Sequence, residues 1–293
     1  MGQQLLFADE GIRPLPALKG QLLKWIGNKQ RFAPAIVAFF PKNFGTYFEP
    51  FLGSGAVLAT LAPERALATD TSRPLMEIWQ ALHDNPDQLK RWYAERWMRM
   101  KGADKVAVYE EVKTSYNASP NGADLVFLSR ACYGGVVRFR QADGYMSTPC
   151  GAHVPISPDR FAARVDSWHA RTRGATFQCA DFESTMARAQ RGDLIYCDPP
   201  YSHSQAILYG AQSFDLRRLL EVIASCKQRG AYVALSLDGT KKTGNMLCDL
   251  PIPEALFARE VLVDVGRSML KRFQMAGQSL EGEVVQDRLL LTH

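Results

Sequence analysis

The sequence predicts an α/β fold, a doubly wound and mostly parallel sheet interrupted by a helical, basic insertion. Three observations carry that expectation. Residues 46–70 read as strand, glycine turn, helix and second strand ending in an acid, the pattern of a nucleotide-binding sheet. Residues 75–117 then turn helical and rich in Trp, Tyr and basic side chains. Strand and helix alternate again after Pro158, through two apolar runs at 194–197 and 232–237.

Each element has a local reason. Residues 1–20 form a loose leader carrying Pro14 and Pro16, and a short apolar stretch, 21–26, meets a turn at Gly27–Lys29. Residues 32–40 read as a helix closed by Pro41, because proline cannot continue one. A short strand at 46–49 leads into a tight turn at 53–55 and a helix opening at 56–61, and a second strand at 66–69 ends at Asp70. A further helix covers 123–132. Residues 134–149, with several glycines, the stretch RFR and an Asp143–Gly144 turn signal, read as an irregular hairpin. Next come a helix at 159–170, a strand at 176–179 running to Asp181, and an apolar strand at 194–197 ending at Asp198. A helix at 214–228 precedes the strand at 232–237, and 260–265 with 284–291 form a closing antiparallel pair.

Composition narrows the function classes. The chain has 293 residues, 46% apolar and 22% charged, which supports a packed core and excludes global disorder. The net charge is +5, and residues 86–140 hold ten Lys and Arg against six Asp and Glu. The excess therefore sits in the insertion, where a basic face suits a phosphate backbone; a solvated helical face is the alternative. Six cysteines occur with no C-x-x-C pair, so no zinc site is expected, and the five histidines are scattered. MGQQLLFADE lacks a basic region followed by an apolar run, and no stretch reaches membrane-helix length, so a reducing cytoplasm is expected.

Two segments carry chemistry. In FEPFLGSGAV (48–57) a strand end, a glycine turn and a helix start bring backbone amides close to a ligand, and Gly53 and Gly55 allow positive φ. Asp70 stands where an acid accepts from ribose hydroxyls; capping the next helix is a compatible alternative. In LIYCDPPY (194–201) an apolar strand ends in an acid, two prolines and an aromatic ring. The prolines hold Asp198 extended and donate no N–H, leaving a rigid cluster of acceptors beside an aromatic plate, which is what a planar amine needs.

The order LLKWIGNK, FEPFLGSGAV, LATD, insertion, CADF and DPPY resembles the alpha group of DNA N6-adenine methyltransferases, the family of the Dam enzymes, over nearly the whole chain from about Leu22. The resemblance implies the Rossmann-like sheet of S-adenosylmethionine-dependent methyltransferases with an antiparallel last strand. It places the catalytic domain at 1–74 and 157–293 and a DNA target-recognition domain at 75–156. By the same resemblance, Trp25, Gly27 and Lys29 help enclose the cofactor, S-adenosylmethionine. Glu49, Pro50, Phe51, Gly53 and Gly55 hold its methionine part, Asp70 its ribose, and Asp181 and Phe182 its adenine. Asp198, Pro199, Pro200 and Tyr201 form the catalytic motif, and no metal is implied. Lys24 matches a lysine that approaches DNA, Tyr133 an intercalating aromatic, and Arg138 an arginine that reads guanine, with Arg140 beside it. Gly134 and Met146 stand where the Dam enzymes have Asn, so a GATC target is not carried over.

In the implied reaction the Asp198 carboxylate and the Pro199 carbonyl accept the two N–H groups of an adenine flipped out of double-stranded DNA, and Tyr201 stacks on the base. Rival readings are methylation of protein glutamine, whose enzymes usually carry Asn in place of Asp198, RNA adenine methylation, and a DNA-binding relative without catalysis. A separately acting cognate restriction endonuclease is left open as a partner.

Overall fold

Apolar runs that alternate between two buried faces build the sheet. The computed structural model describes residues 14–140, 142–200, 214–238, 252–253, 255–266 and 285–293. Its seven strands are β1 (Tyr47–Glu49), β2 (Ala66–Asp70), β3 (Ala175–Cys179), β4 (Leu194–Cys197), β5 (Tyr232–Asp238), β6 (Arg259–Gly266) and β7 (Val285–Leu291). They lie in the order β3-β2-β1-β4-β5-β7-β6, and β7 alone runs against its neighbours β5 and β6. Every residue of β1 and β4 is buried, as expected of central strands covered on both faces, whereas the edge strand β3 alternates.

Successive side chains of β4 serve different cores. Ile195 and Cys197 join one with α8 (Phe182–Met186) and α9 (Leu216–Gln228). Leu194 and Tyr196 face the other, with α1 (Ala33–Val37), α2 (Ala56–Leu61), α3 (Arg73–Asp84) and α7 (Pro158–Arg171). The insertion packs into that second core. Its helices α4 (Pro86–Met98), α5 (Lys105–Ala118) and α6 (Gly122–Ala131) contribute Leu89, Tyr93, Val112, Tyr116, Leu125 and Phe127 to the same buried cluster. Side-chain caps start these helices: Asn85 for α4, Asp104 for α5, Asn121 for α6 and Ser157 for α7. After α6 the chain makes a 3-10 turn, Tyr133–Gly135, and an irregular hairpin pinned at Cys132–Cys150 and Phe139–Met146.

The element order matches the sequence expectations, with two differences. The first helix is one turn and a fraction, Ala33–Val37, rather than 32–40. The helix α8, absent from the sequence reading, begins at Asp181, whose carboxylate accepts from the Ser184 amide at 2.8 Å.

Asp193 ties β4 to the start of β1. Its carboxylate accepts from the amides of Thr46 and Gln190, both at 2.7 Å. Gly45 leaves the room, since a Cβ there would lie 2.5 Å from that carboxylate. Asp193→Ala strands two amide donors in a largely buried place. It is expected to lower the unfolding free energy by about 2 kcal/mol in denaturant titration. A loss below a few tenths would show that water replaces the carboxylate.

Candidate active site

Parallel strands of an open sheet present their carboxyl ends on one side, and a crevice opens where the strand order reverses. Here the reversal falls between β1 and β4, and a cavity of about 630 Å³ lies there. That volume is in the range of small-ligand sites. Glu49 ends β1, Asp70 ends β2, Asp198 follows β4, and Asp181 follows β3; all four line the cavity.

The glycine turn forms the floor. Gly53 and Gly55 have φ of 47° and 61°, the left-handed region that favours glycine. A Cβ on Gly55 would also lie 2.6 Å from the Trp79 ring. Asp70 braces the turn: one carboxylate oxygen accepts from the Gly53 amide at 3.1 Å and the other from Ser72 at 3.0 Å. Asp70 thus holds the turn and the Ser72 amide just ahead of α3, whose N-cap is Ser72 rather than Asp70. Burial raises its carboxyl above the ordinary range, and the Ser72 and Gly53 amides work against this.

Glu49 is almost fully buried, and the Tyr47 hydroxyl donates to it at 2.7 Å. Burial pushes the Glu49 carboxyl up to about 8; the Tyr47 hydrogen bond opposes this and the neighbouring Asp198 charge adds to it. Among the described residues no cation pairs with Glu49, so the cavity offers a binding place for a cationic ligand group. Lys29, also buried, sets its ammonium 2.9 Å from Asp198 and 3.7 Å from Asp287.

The far end is aromatic. Phe51 and Phe182 stack with centroids 5.5 Å apart, and Phe214 meets Phe51 edge-on at 5.9 Å. Arg218 pairs with Glu183 and lies 5.8 Å from the Phe182 ring centre. The Ser184 amide holds the exposed Asp181 carboxylate below its ordinary range. A planar heterocycle suits this end, with ring faces beside an ionised acceptor.

A family model for the D12 class of N6 adenine-specific DNA methyltransferases matches residues 25–265. The chain belongs to this family. Among its relatives is a DNA adenine methylase of Haemophilus influenzae, 30% identical over 248 residues, covering 78% of this chain and 83% of that one. A DNA adenine methylase of Vibrio cholerae is 28% identical over 75% of this chain and 82% of its own. The type II methyltransferase M1.LlaDCHI of Lactococcus lactis subsp. cremoris is 26% identical over 73% and 79%. The sheet is the Rossmann-like sheet of methyltransferases, as the sequence implied.

The methyltransferase brings most of the expected residues together. Trp25, Gly27, Lys29, Glu49, Pro50, Phe51, Gly53, Asp70, Asp181, Phe182, Asp198, Pro199 and Pro200 all line the one cavity. Gly55 caps α2 behind it. Tyr201 lies outside the described residues. The insertion also reaches the cavity, through Tyr116, Phe139 and Gly144. Tyr133 is 52% exposed, and the Lys24 stem runs beside Gly135, where an added Cβ would come within 3.1 Å of it. Arg138 is exposed and makes no ion pair among the described residues, whereas Arg140 is paired with Asp143 at 2.5 Å and lies 4.3 Å from the Tyr145 ring centre. Met146 is fully buried, so this departure from the Dam pattern is a packing residue.

The sequence reading missed Tyr47, Phe214, Arg218 and Asp287. Only Tyr47 carried a local signal, its two-residue spacing from Glu49 on one strand face. No helix among the described residues is long and apolar enough to cross a membrane, and no group of three or more His, Cys, Asp or Glu there is placed to hold a metal.

The raised Glu49 carboxyl fixes the sign of a pH effect. Between its ordinary value near 4.5 and about 8, the folded protein holds a proton that the unfolded chain has lost. Stability therefore falls as pH rises through that window. Glu49→Gln removes the dependence. Its melting temperature, relative to the parent, is expected to climb from pH 5 to pH 8 and level off above. A constant difference would mean that Glu49 stays ionised throughout.

Proposed function

We propose that the cavity binds S-adenosylmethionine and that the enzyme methylates N6 of an adenine flipped out of double-stranded DNA at a specific sequence. What carries the reading is the meeting in one cavity of Glu49, the glycine turn, the Asp181–Phe182 end and the Asp198-Pro199-Pro200 corner. The residues fit the cofactor. Glu49 offers a buried carboxyl to a cationic group, Asp70 keeps spare acceptor capacity for ribose, and Asp181 with Phe182 suits adenine. S-adenosylmethionine supplies a methyl group made electrophilic by its sulfonium.

The chain's own groups do the rest. The adenine amine is a weak nucleophile, because its lone pair is delocalised into the ring. Asp198 and the Pro199 carbonyl accept its two N–H bonds, and those acceptors gain most as positive charge builds on nitrogen. Held in near-attack geometry, the reactants lose much of their entropic barrier. Tyr201 is assigned the stacking partner of the base. Residues 75–156 are assigned target recognition, with Lys24 and Arg140 toward the DNA backbone, Tyr133 into the stack and Arg138 toward a guanine edge. The cytoplasm, where the DNA lies, is the proposed compartment.

The test is expression in a host without adenine methylation, followed by mapping of modified positions. One short motif carrying N6-methyladenine is expected, and no modified adenine would overturn the reading. Asp198→Ala is expected to lose about 10²–10³-fold or more in rate while still binding S-adenosylmethionine. Glu49→Gln is expected to weaken that binding and to abolish the proton release that accompanies it at pH 7. Arg138→Ala is expected to relax one base position at a cost of about 1–3 kcal/mol. Uniform weakening on all sequences would make Arg138 a phosphate contact instead.

A further inference from the structure

Lys29 is the hub of a charge arrangement that the motif reading does not use. Its ammonium is buried, 2.9 Å from Asp198 Oδ1 and 3.7 Å from Asp287 Oδ2, and 3.4 Å from the Gly27 carbonyl. The first distance is a charge-assisted hydrogen bond; the second is too long for one and acts through charge. Asp287 sits on β7, in register with Asp238 of β5 and Val263 of β6. The reversal of β7 is what returns a residue from the end of the chain to the reaction corner.

We propose that Asp287 is a positioning residue that shares Lys29 with Asp198, and so keeps Asp198 oriented yet strong enough as an acceptor for the adenine amine. The inference rests on Asp198 as that acceptor. A lysine that did not also feel Asp287 would lean more heavily on Asp198 and compete with the incoming amine for its lone pairs. A corner without the lysine would lose the ammonium that holds one Asp198 oxygen at 2.9 Å and so fixes the direction of the carboxylate. Lys29 between two carboxylates avoids both outcomes. One Asp198 oxygen is held, which sets the direction of the other. Asp287 draws on the same cation from the far side, so the acceptor is steadied without being quenched.

The experiment is single-turnover methyl transfer from the preformed enzyme–S-adenosylmethionine complex to saturating DNA, across pH, for the parent, Asp287→Asn, Lys29→Gln, the double variant and Asp198→Ala. Asp287→Asn keeps the shape and removes the charge. It is expected to slow transfer about fivefold or more, with cofactor affinity within about twofold of the parent. Lys29→Gln is expected to slow transfer as well, since Asp198 loses the ammonium 2.9 Å away that holds one of its oxygens. The double variant is expected to be no slower than Lys29→Gln, because Asp287 acts through Lys29. The proposal is overturned if Asp287→Asn transfers within about twofold of the parent rate or if the two losses multiply. It is equally overturned if Asp287→Asn loses cofactor affinity or its melting transition, for Asp287 would then hold the fold and not the acceptor. An active Asp198→Ala would instead remove the assignment of Asp198 itself. A dead Asp198→Ala beside a normal Asp287→Asn would remove only the role of Asp287.

Discussion

One indole holds the glycine turn, the sheet edge and α7 together. Trp79, on α3, donates its ring N–H to the Gly53 carbonyl at 3.1 Å and lies against Gly55, where no other side chain has room for a Cβ. The same ring stacks on Phe177 of β3 at 5.5 Å and meets Trp168 of α7 at 5.7 Å. The glycine turn, the edge of the sheet and the helix that leads into the insertion are thus fixed by one fully buried side chain. A turn that must approach a ligand closely cannot be stiffened by side chains of its own. It borrows its rigidity from the indole behind it and from the Asp70 carboxylate beside it.

The second constraint is charge. Buried Lys29 lies against Asp198 and Asp287 at the carboxyl ends of the strands, and Glu49 of β1 feels the neighbouring Asp198 charge. Burying ions is costly, and unequal numbers of acids and bases raise the cost further. The cost shows at Glu49, whose carboxyl burial pushes up to about 8. On the proposed reading a cationic ligand would supply the missing charge, so ligand binding and proton loss belong to one event.

How much of this was legible follows from the range of each interaction. Strand limits, the glycine turn and the acids at the strand ends are local, and 47–70 and 194–198 were readable because apolar runs stop at Gly, Asp or Pro. The helix α8 was not, since FESTM has too few residues to show a period, and its start depends on Asp181 acting as a cap. Phe214 and Arg218 reach the cavity only once α9 packs beside α8. Asp287 is the clearest case. Nothing in VVQDRLLL distinguishes it from any acid on a half-buried strand, and its meaning comes from the antiparallel pairing of β7 with β5. Arg140 shows the reverse: the D-G turn at Asp143–Gly144 was readable, yet its consequence, an arginine three residues from an acid across a tight turn, was not drawn.

That last pairing bears on how the proposed recognition hairpin divides its labour. Arg140 is clamped by Asp143 and by the Tyr145 ring, so its guanidinium already has planar partners and must give up an ion pair to reach DNA. Exposed ion pairs are weak, so release costs at most about 1 kcal/mol, and a phosphate can take Arg140 over with little sequence preference. Arg138 is exposed, and its backbone is fixed by the Thr148 hydroxyl and the Ser147 amide, which holds its Cα in place while its side chain extends. A fixed root with a ready fork is what reading a guanine edge requires. Between them Phe139 turns inward, packs beside Tyr116 and lines the cavity. The proposed recognition hairpin is thereby also a wall of the cavity. A shift of one residue in its register would exchange the faces of Arg138 and Phe139, so the proposed reading residue and the cavity wall are bound to one backbone geometry.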